Sequence, residues 1–444
     1  MDLVLDLESG PVYELQKLGP GEWRSPTNPD LCCIYRVPNS MYQMSPEAYT
    51  PQLVLIGPLH HSLKSPAFKS RGNITNRKLM GYLNMEEQKK IYLAGFTRRF
   101  EGEKIIDTFR NIIKEDEVII RASYSESTAW IESEDFVEMI LQDSVFIIEL
   151  MLRNYATEKD KIGDHLMDEP CLEITIKGDL ILLENQLPYF ILEKLFDPVV
   201  QTLNPNQTLC QLVINYFRRD LENTKICGQK KFRHFTDLVR CVRVEGKFPK
   251  YEYEDFQPSY KIHNINAHKL DNGGVKFKPT ENAFPVLVAF NPKSGCLAIP
   301  HFKADDSVEL TIRNIMALEQ CHYPYEAHVC SYIIFLDFLI DTDKDVELLV
   351  EKGIITNLLG NHGVVAKMVN RLCLGVPEDG AYYSRIAKQV RDYYNSEYNK
   401  SRTILKRVYC SDLWSGIATV GATFLLLLTL IQTVTSVIEV LSKK

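Results

Sequence analysis

Apolar residues recur at helical intervals along much of the chain, which has 444 residues. In residues 133–153, the apolar residues that share one helical face are Phe136, Ile140, Val145, Phe146 and Leu150. Residues 84–94 follow the same period. Further helices are predicted at residues 308–320, 332–340, 345–352, 363–372 and 381–407. The pattern therefore favours a mainly α-helical protein.

A small β element interrupts this pattern. Residues 275–278 alternate between apolar and polar positions, and two apolar runs, 286–290 and 296–299, flank a turn. The turn, residues 291–295, contains Asn, Pro and Gly, which hairpin loops favour. The predicted fold class is thus mainly α, with one or two short β-hairpins.

Capping signals mark two of the predicted helices. Asp306 followed by Glu309 predicts a capping box at the start of the helix 308–320. Asn361 and Gly375 bracket the helix at 363–372, as an N-cap and a C-terminal glycine.

Two segments depart from the helical pattern. Residues 34–61 are rich in proline and β-branched residues, so we expect them to be extended and turning. Residues 179–195 are mostly apolar, and we expect Pro188 to end or kink their first part. This segment contains three consecutive polar residues, Glu184, Asn185 and Gln186. Because an unpaired buried polar group costs about 1–3 kcal/mol, we expect them to lock neighbouring segments; a catalytic role is the alternative.

The last apolar run, residues 413–438, has no charged residue over 26 positions. At about 1.5 Å per helical residue it is long enough to cross a hydrocarbon layer of roughly 30 Å. We interpret it as a transmembrane helix, with a buried core helix as the alternative. Ala418 and Ala422 have a spacing that favours a homo-oligomer through the span, unless they merely face lipid.

The charges beside this run predict its orientation. Before it stand Lys400, Arg402, Lys406 and Arg407, whereas Lys443 and Lys444 follow it. The positive-inside tendency therefore places the body in the cytosol, and no secretory signal is visible at the start of the chain. The expected organisation is a leader at 1–33, a helical body at 34–400 with a linker at about 245–275, a basic juxtamembrane segment at 401–412, the span at 413–438 and a tail at 439–444.

The cysteines fit this placement. There are 11 of them, an odd and scattered set, which argues for reduced thiols rather than a disulfide framework. Cys410 lies next to the span and is a candidate for palmitoylation, with a bare thiol as the alternative. The glycosylation motifs at Asn73, Asn206 and Asn399 are expected to stay unmodified in a cytosolic body.

Composition changes this picture little. The chain has 51 basic and 58 acidic side chains, a formal charge of −7, and 45% hydrophobic residues. These values are typical of globular proteins and exclude a largely disordered chain or one with many membrane spans. The mild acidity and the short basic clusters also argue against nucleic-acid binding.

A calcium loop is a poor interpretation of the carboxylates at Asp341, Asp343 and Asp345. Val346 and Lys352 occupy the positions that need glycine and glutamate. A role at the N-terminus of the next helix fits Asp343 or Asp345 better, because a carboxylate there favours the helix dipole.

A zinc site at Cys321, His322, His328 and Cys330 is also disfavoured. Neighbouring residues of one helix point about 100° apart and do not converge on a metal ion, so we expect these side chains to pack between helices. Motifs for nucleotide binding, serine hydrolysis and zinc proteolysis do not occur in the sequence. We therefore predict no metal, no cofactor and no catalytic residue.

Several blocks, in order along residues 34–438, resemble a plant family known as domain of unknown function 247. They include Ile34-Tyr-Arg-Val-Pro38, Leu182-Leu-Glu-Asn-Gln-Leu-Pro188 and Phe335-Leu-Asp-Phe-Leu-Ile340. The residues singled out as matching the family motifs are Pro38, Pro51, Gly57, Pro58, His60, His61, Glu86, Glu319 and Gln320. Residues 407–414 depart from the family pattern.

The resemblance implies a single-pass protein with a C-terminal membrane helix and no established enzymatic activity. Some grass members are associated with pollen self-incompatibility, and others with sex determination or stress. We therefore expect a membrane-anchored protein whose cytosolic body binds an unknown protein partner in recognition or signalling. The alternative is an enzyme acting on a lipid or small molecule at the membrane, with His60 or His61 and residues 184–186 at its site.

Overall fold

A computed structural model describes residues 30–63, 77–100, 102–156, 163–200, 207–217, 232–244, 265–280, 286–377, 382–396, 399 and 413–442. The predicted juxtamembrane segment, Cys410 and most of the predicted leader and linker lie outside these ranges. The chain divides into two units. The first unit comprises residues 1–247, 305–330 and 371–377, and the second comprises residues 248–304, 331–370 and 378–444.

Helices make up most of the first unit. They are Arg77–Arg99, Glu103–Glu115, Glu117–Ala122, Ser133–Tyr155, His165–Asp168, Pro170–Asp179, Tyr189–Val200, Leu209–Tyr216, Phe235–Arg243 and Val308–His322. Short helical turns occur at Asn39–Tyr42, Pro46–Ala48, His61–Leu63 and Pro324–Glu326.

The helix Ser133–Tyr155 forms the centre of the first unit. It packs against four helices, Arg77–Arg99, Glu103–Glu115, Tyr189–Val200 and Leu209–Tyr216. Its residues 143–152 are all buried. Because this part of the helix is covered on every side, it is a core helix. The helix predicted at 133–153 is thus confirmed.

The second unit combines helices with short strands. Its helices are Ala267–Asn272, His328–Leu339, Asp343–Glu351, His362–Leu372, Ser384–Asn395 and Leu413–Ser442, and residues 328–330, 371 and 372 of these belong to the first unit. The strands are β1 (Lys276–Pro279), β2 (Ala289–Asn291), β3 (Cys296–Ile299), β4 (Phe302–Ala304) and β5 (Ile355–Asn357).

The strands form two small sheets. In the first, β2 and β3 are antiparallel with Phe290 opposite Leu297, which confirms the predicted hairpin. β1 pairs with β3 in parallel, with Phe277 opposite Leu297, and β4 pairs with β5 in parallel. The sequence pattern predicted neither parallel pairing.

Three local predictions are wrong. Asp305, not Asp306, caps the helix Val308–His322, because its Oδ1 accepts from the backbone N–H groups of Ser307 and Val308 at 3.1 and 3.0 Å. The helix predicted at 381–407 ends at Asn395, since Ser396 has ψ 123°. The segment predicted as extended contains two helical turns.

Other boundaries agree with the prediction. Asn361 Oδ1 accepts from Gly363 N at 2.7 Å, and Gly375 has φ +81°. Asp345 forms a capping box with Thr342 at the helix Asp343–Glu351. Pro188, by contrast, ends no helix: residues 180–188 are irregular, and the helix Tyr189–Val200 begins directly after it.

The C-terminal helix Leu413–Ser442 contains one candidate span. Residues Val420–Ile438 are long and apolar enough to cross a membrane, and none of this stretch is buried.

Candidate functional site

Buried polar side chains hold the irregular segment 52–60 of the first unit. The segment has no strand partner, so its buried N–H groups need other acceptors. Asp179 accepts from the backbone N–H groups of Gln52, Leu53 and Val54 at 2.8, 2.7 and 2.8 Å. Burial raises the pKa of Asp179 to about 6, although these donors favour its ionised form.

Asn185 bonds to the same segment. Its Oδ1 accepts from Ile56 N at 2.7 Å, and its Nδ2 donates to the carbonyl oxygens of Val54 and Asp179 at 3.0 and 2.9 Å. Asn185 is only 1% exposed. Every hydrogen bond formed by this amide therefore satisfies buried backbone.

Gln186 bonds to three backbone groups in two segments of the chain. Its Oε1 accepts from Phe235 N at 3.0 Å, and its Nε2 donates to the carbonyl oxygens of Leu180 and Leu182 at 2.7 and 2.8 Å. This arrangement fixes the irregular turn before Tyr189–Val200 against the start of the helix Phe235–Arg243.

Lys89 is fully buried in a charged cluster. Its Nζ donates to Leu55 O, Glu86 Oε1 and Asp143 Oδ1 at 2.5, 2.7 and 2.6 Å. Asp143 Oδ2 in turn accepts from Gly57 N at 2.8 Å. Burial lowers the pKa of Lys89, but the two carboxylates outweigh it and raise the pKa above its usual value.

Gly57 is required by the backbone at this point. It has φ +71°, which residues with a Cβ rarely adopt, and a Cβ would lie 2.7 Å from Gln186 O. Pro58 follows, and its carbonyl oxygen accepts from His61 N at 3.0 Å. The Gly-Pro pair therefore turns the chain at His60.

The other two prolines of the family motifs accept hydrogen bonds through their carbonyl oxygens. The carbonyl oxygen of Pro38 accepts from Met41 N and Tyr42 N, both at 2.9 Å. The carbonyl oxygen of Pro51 accepts from the Tyr82 hydroxyl at 2.6 Å. Pro38 thus begins the short turn Asn39–Tyr42, and Pro51 is tied to the helix Arg77–Arg99 directly before the segment 52–60.

A pocket of about 1070 Å³ lies beside this segment, within the first unit. Its apolar and aromatic lining includes Tyr35, Tyr42, Leu59 and Leu63. Its polar lining includes Arg36, His60, Ser62 and Glu184. A concave, largely apolar pocket with a few convergent polar groups is the usual form of a small-molecule site.

Arg36 lies between two buried carboxylates at this pocket. Its Nη1 donates to Glu184 Oε2 at 2.7 Å, and its Nε donates to Glu126 Oε2. Its Nη2 donates to Leu59 O at 2.7 Å and to Glu126 Oε1 at 3.2 Å. Glu184 Oε1 accepts from Val37 N at 2.8 Å. The planar guanidinium thus holds three distant parts of the chain in one geometry.

His60 faces the same cluster without joining it. Its Nε2 is buried and has no hydrogen-bond partner, and it lies 3.8 Å from Glu184 Oε2, which is too long for a hydrogen bond. Burial, together with Arg36 and Lys78, lowers the pKa of His60 to about 3. The ring is therefore neutral at pH 7.

His61 has different surroundings. Its ring lies against Trp130, with ring centroids 5.9 Å apart. The structure therefore brings His60, but not His61, together with Glu184 at the pocket.

Cys321 and His322, which were candidate zinc ligands, lie near the pocket wall. The Tyr35 hydroxyl is 2.9 Å from His322 Nδ1, and Cys321 lines the pocket. Burial raises the pKa of the Cys321 thiol to about 12, so this thiol is a poor nucleophile at neutral pH. Within the described ranges, no group of three or more His, Cys, Asp or Glu side chains is arranged to hold a metal ion.

Glu319 and Gln320 act at the start of the next helix. Glu319 is fully buried; its Oε1 accepts from Arg240 Nε and Val329 N at 3.1 and 3.2 Å, and its Oε2 accepts from Cys330 N at 2.8 Å. Gln320 Nε2 donates to Cys330 Sγ at 3.5 Å. These contacts satisfy N–H groups that a helix start leaves unpaired.

Sequence reasoning singled out Glu184 and His60 but missed Arg36 and Glu126, which complete the ionic cluster. Glu126 lies 90 residues from Arg36, and Glu184 lies 148 residues from it. The available signal was local: Arg36 is a charged residue inside an apolar block of the family pattern. Asp179 likewise stood at the edge of the polar and apolar segment 179–195 and was not singled out.

Together, a helical body with a pocket in its first unit and one long apolar C-terminal helix define an α-helical protein with one candidate membrane span among the described residues. The sequence model of the family described as plant protein of unknown function, domain of unknown function 247, matches residues 34–428. The chain belongs to this family, which confirms the resemblance.

Two relatives from Arabidopsis thaliana are similar along most of their length. The UPF0481 protein At3g47200 is 24% identical over 94% of this chain and 88% of its own. The putative UPF0481 protein At3g02645 is 21% identical over 90% of this chain and 89% of its own. No solved structure matches the chain.

Proposed function

We propose that this chain is a membrane-anchored recognition protein whose first unit binds a ligand in the pocket beside Arg36 and His60. The observation that carries the proposal is the pocket itself, about 1070 Å³ with a fixed ionic group and a buried imidazole in its wall. A volume of this order accommodates a drug-sized ligand. Binding of a protein partner to the body remains a prediction for the signalling step.

Binding suits this pocket better than catalysis. Glu184 and His60 meet here, as an enzyme would require, but both Glu184 oxygens already accept hydrogen bonds, from Val37 N and Arg36 Nη1. A general base works best with a pKa near the operating pH, whereas burial lowers the pKa of His60 to about 3. The arrangement therefore favours recognition over proton transfer.

A pocket-blocking variant tests the recognition part. Ser62 lines the pocket and is exposed, so Ser62→Trp fills the entrance with little effect on folding. Gln43→Trp, at an exposed position on a neighbouring turn, is the matched control. The full chain, held in lipid nanodiscs, is screened against a fluorinated fragment library by fluorine NMR. We expect a set of fragments that bind wild type and Gln43→Trp but not Ser62→Trp; identical profiles for all three proteins would refute the proposal.

The membrane part rests on the stretch Val420–Ile438. Each arginine at the centre of a span costs roughly 2.5–3.5 kcal/mol, so the pair Leu427→Arg and Leu428→Arg should release the full chain from membranes in alkaline carbonate. Ser442→Arg, outside that stretch, should stay in the membrane pellet. If the double variant also stays there, the helix is not the anchor.

The orientation has its own test. With the body in the cytosol, the native protein should show no mass change after glycosidase treatment, despite its three acceptor motifs. A glycosidase-sensitive mass would place the body on the other side.

A further inference from the structure

His60 is a polar group that the fold places in the pocket wall and leaves without a partner. It is 8% exposed, and its Nε2 has no hydrogen bond. An unpaired buried polar atom costs about 1–3 kcal/mol, and phenylalanine would fill similar space without that cost. The residues before it are locked, because Ile56 N bonds to Asn185 and Gly57 N bonds to Asp143. The backbone that leads to the imidazole is therefore held in place by the fold.

One ligand atom can satisfy this nitrogen and Glu184 together. His60 Nε2 and Glu184 Oε2 are 3.8 Å apart, so an oxygen at about 2.8 Å from each makes two ordinary hydrogen bonds. Because Nε2 is buried, the imidazole must shift towards the pocket to admit this oxygen. A hydroxyl group accepts from Nε2–H and donates to the carboxylate. Glu184 Oε2 accepts from Arg36 and, like any carboxylate oxygen, has room for a second donor.

The charges at the pocket disfavour an ionic ligand. An anion would meet Glu126 and Glu184, with the Arg36 guanidinium already engaged by both carboxylates. A cation would be attracted to Glu184, but an ammonium group has no lone pair to accept from Nε2–H, and it would also meet the positive field of Arg36 and Lys78, which acts on the His60 ring. A neutral group meets neither penalty.

We propose that the pocket takes a neutral, hydroxyl-bearing ligand with an apolar body, and that the ligand hydroxyl bridges His60 Nε2 and Glu184 Oε2. The apolar body lies against the lining that includes Tyr35, Tyr42 and Leu59. This inference rests on the proposed function, because it names the class of ligand for the same pocket.

Three probes of one shape separate the ligand classes. They are para-(trifluoromethyl)benzyl alcohol, the corresponding benzylamine and the corresponding benzoate, which are neutral, cationic and anionic at pH 7.5. Their binding to the full chain in nanodiscs is measured by fluorine NMR. The variants are His60→Phe, which removes the ring nitrogens, and His61→Phe, the neighbouring control on Trp130.

We expect the alcohol to bind wild type and His61→Phe equally, and to bind His60→Phe about three- to tenfold more weakly, which is the loss of one ordinary hydrogen bond. Thermal unfolding, recorded for every variant, should show His60→Phe at least as stable as wild type, so that weaker binding is not unfolding.

Each contrary result has a distinct meaning. If the amine or the benzoate shows the dependence on His60 and the alcohol does not, the ligand class is wrong and the pocket function stands. If no probe distinguishes His60→Phe from His61→Phe while other fragments remain sensitive to Ser62→Trp, the hydroxyl bridge is wrong. If Ser62→Trp changes no fragment either, the proposed function fails as well.

Discussion

Replacing Lys89 by methionine is expected to destabilise the first unit by about 3–5 kcal/mol. Methionine keeps much of the side-chain volume but removes the hydrogen bonds to Leu55 O, Glu86 and Asp143. The two carboxylates are 8% and 0% exposed, so they would stay buried without their cation. Removing one member of a buried ion cluster has this large cost because the remaining charge is uncompensated.

Protonation of a carboxylate relieves that uncompensated charge. The difference in unfolding free energy between wild type and Lys89→Met should therefore be smaller at pH 5 than at pH 7.5. A second substitution, Asp143→Asn, removes one of the two negative charges and should recover part of the loss in the Lys89→Met background. That recovery measures the coupling between the two side chains.

The assay is guanidinium unfolding of the full chain in nanodiscs, followed by circular dichroism at both pH values. Lys90→Met is the matched control, because Lys90 is adjacent and pairs with Glu87 at 3.2 Å in solvent. Such an exposed pair contributes about 0–1 kcal/mol. If Lys89→Met lies within 1 kcal/mol of Lys90→Met, the buried cluster does not stabilise the fold as argued.

Two further predictions concern stability. Gly57→Ala should lower the free energy of unfolding by at least about 2 kcal/mol, because of the positive φ and the close Gln186 oxygen. The control Gly178→Ala, whose Cβ would have only Leu310 nearby at 3.8 Å, should be neutral or stabilising. Equal effects of the two substitutions in urea unfolding would contradict this prediction. Burial lowers the pKa values of His60 and His234 to about 3 and about 4. Between pH 7.5 and 5 each histidine should therefore lower the free energy of unfolding by about 2 kcal/mol, because protons bind to the unfolded chain and not to the folded one. Asp179, whose pKa burial raises to about 6, opposes this by about 1 kcal/mol because its folded form takes up a proton. A midpoint of urea unfolding that is the same at pH 7.5 and pH 5 would refute this prediction.

Local patterns predicted much of the secondary structure. The apolar period predicted the helix Ser133–Tyr155, and the breaker-rich turn predicted the β2–β3 hairpin. Each of these signals comes from residues that are close to one another in the sequence. The parallel pairs β1–β3 and β4–β5 join segments far apart in the chain. Such pairing leaves no local trace in a single sequence, which is why it was missed.

The candidate site divides in the same way. Three adjacent polar residues in an apolar segment indicated Glu184, Asn185 and Gln186, since buried polar groups need partners. Which partners they have is a matter of tertiary structure: Glu184 bonds to Arg36, whereas Asn185 bonds to backbone. The difference between a pocket residue and a structural residue therefore was not visible in their spacing.

Three buried polar side chains, those of Asp143, Asp179 and Asn185, share one task, which is to hold residues 52–57. The N–H groups of this irregular segment bond to buried oxygens of Asp179, Asn185 and Asp143. Loops usually exchange their amide hydrogens through small local openings. Here, opening would leave buried carboxylate and amide groups without hydrogen-bond partners in an apolar interior, at a cost of about 1–3 kcal/mol for each.

Hydrogen exchange should therefore be as slow in residues 54–57 as in the core helix Ser133–Tyr155. The hairpin turn is the control, because Lys293 N and Ser294 N also bond to a side-chain oxygen, that of Asn291, but all three residues are exposed. Peptide-level exchange of the full chain should show protection of the first segment and rapid exchange of the turn. Since residues 59 and 60 line the pocket directly after this segment, equally rapid exchange of both would mean that the locks do not hold the pocket wall in place.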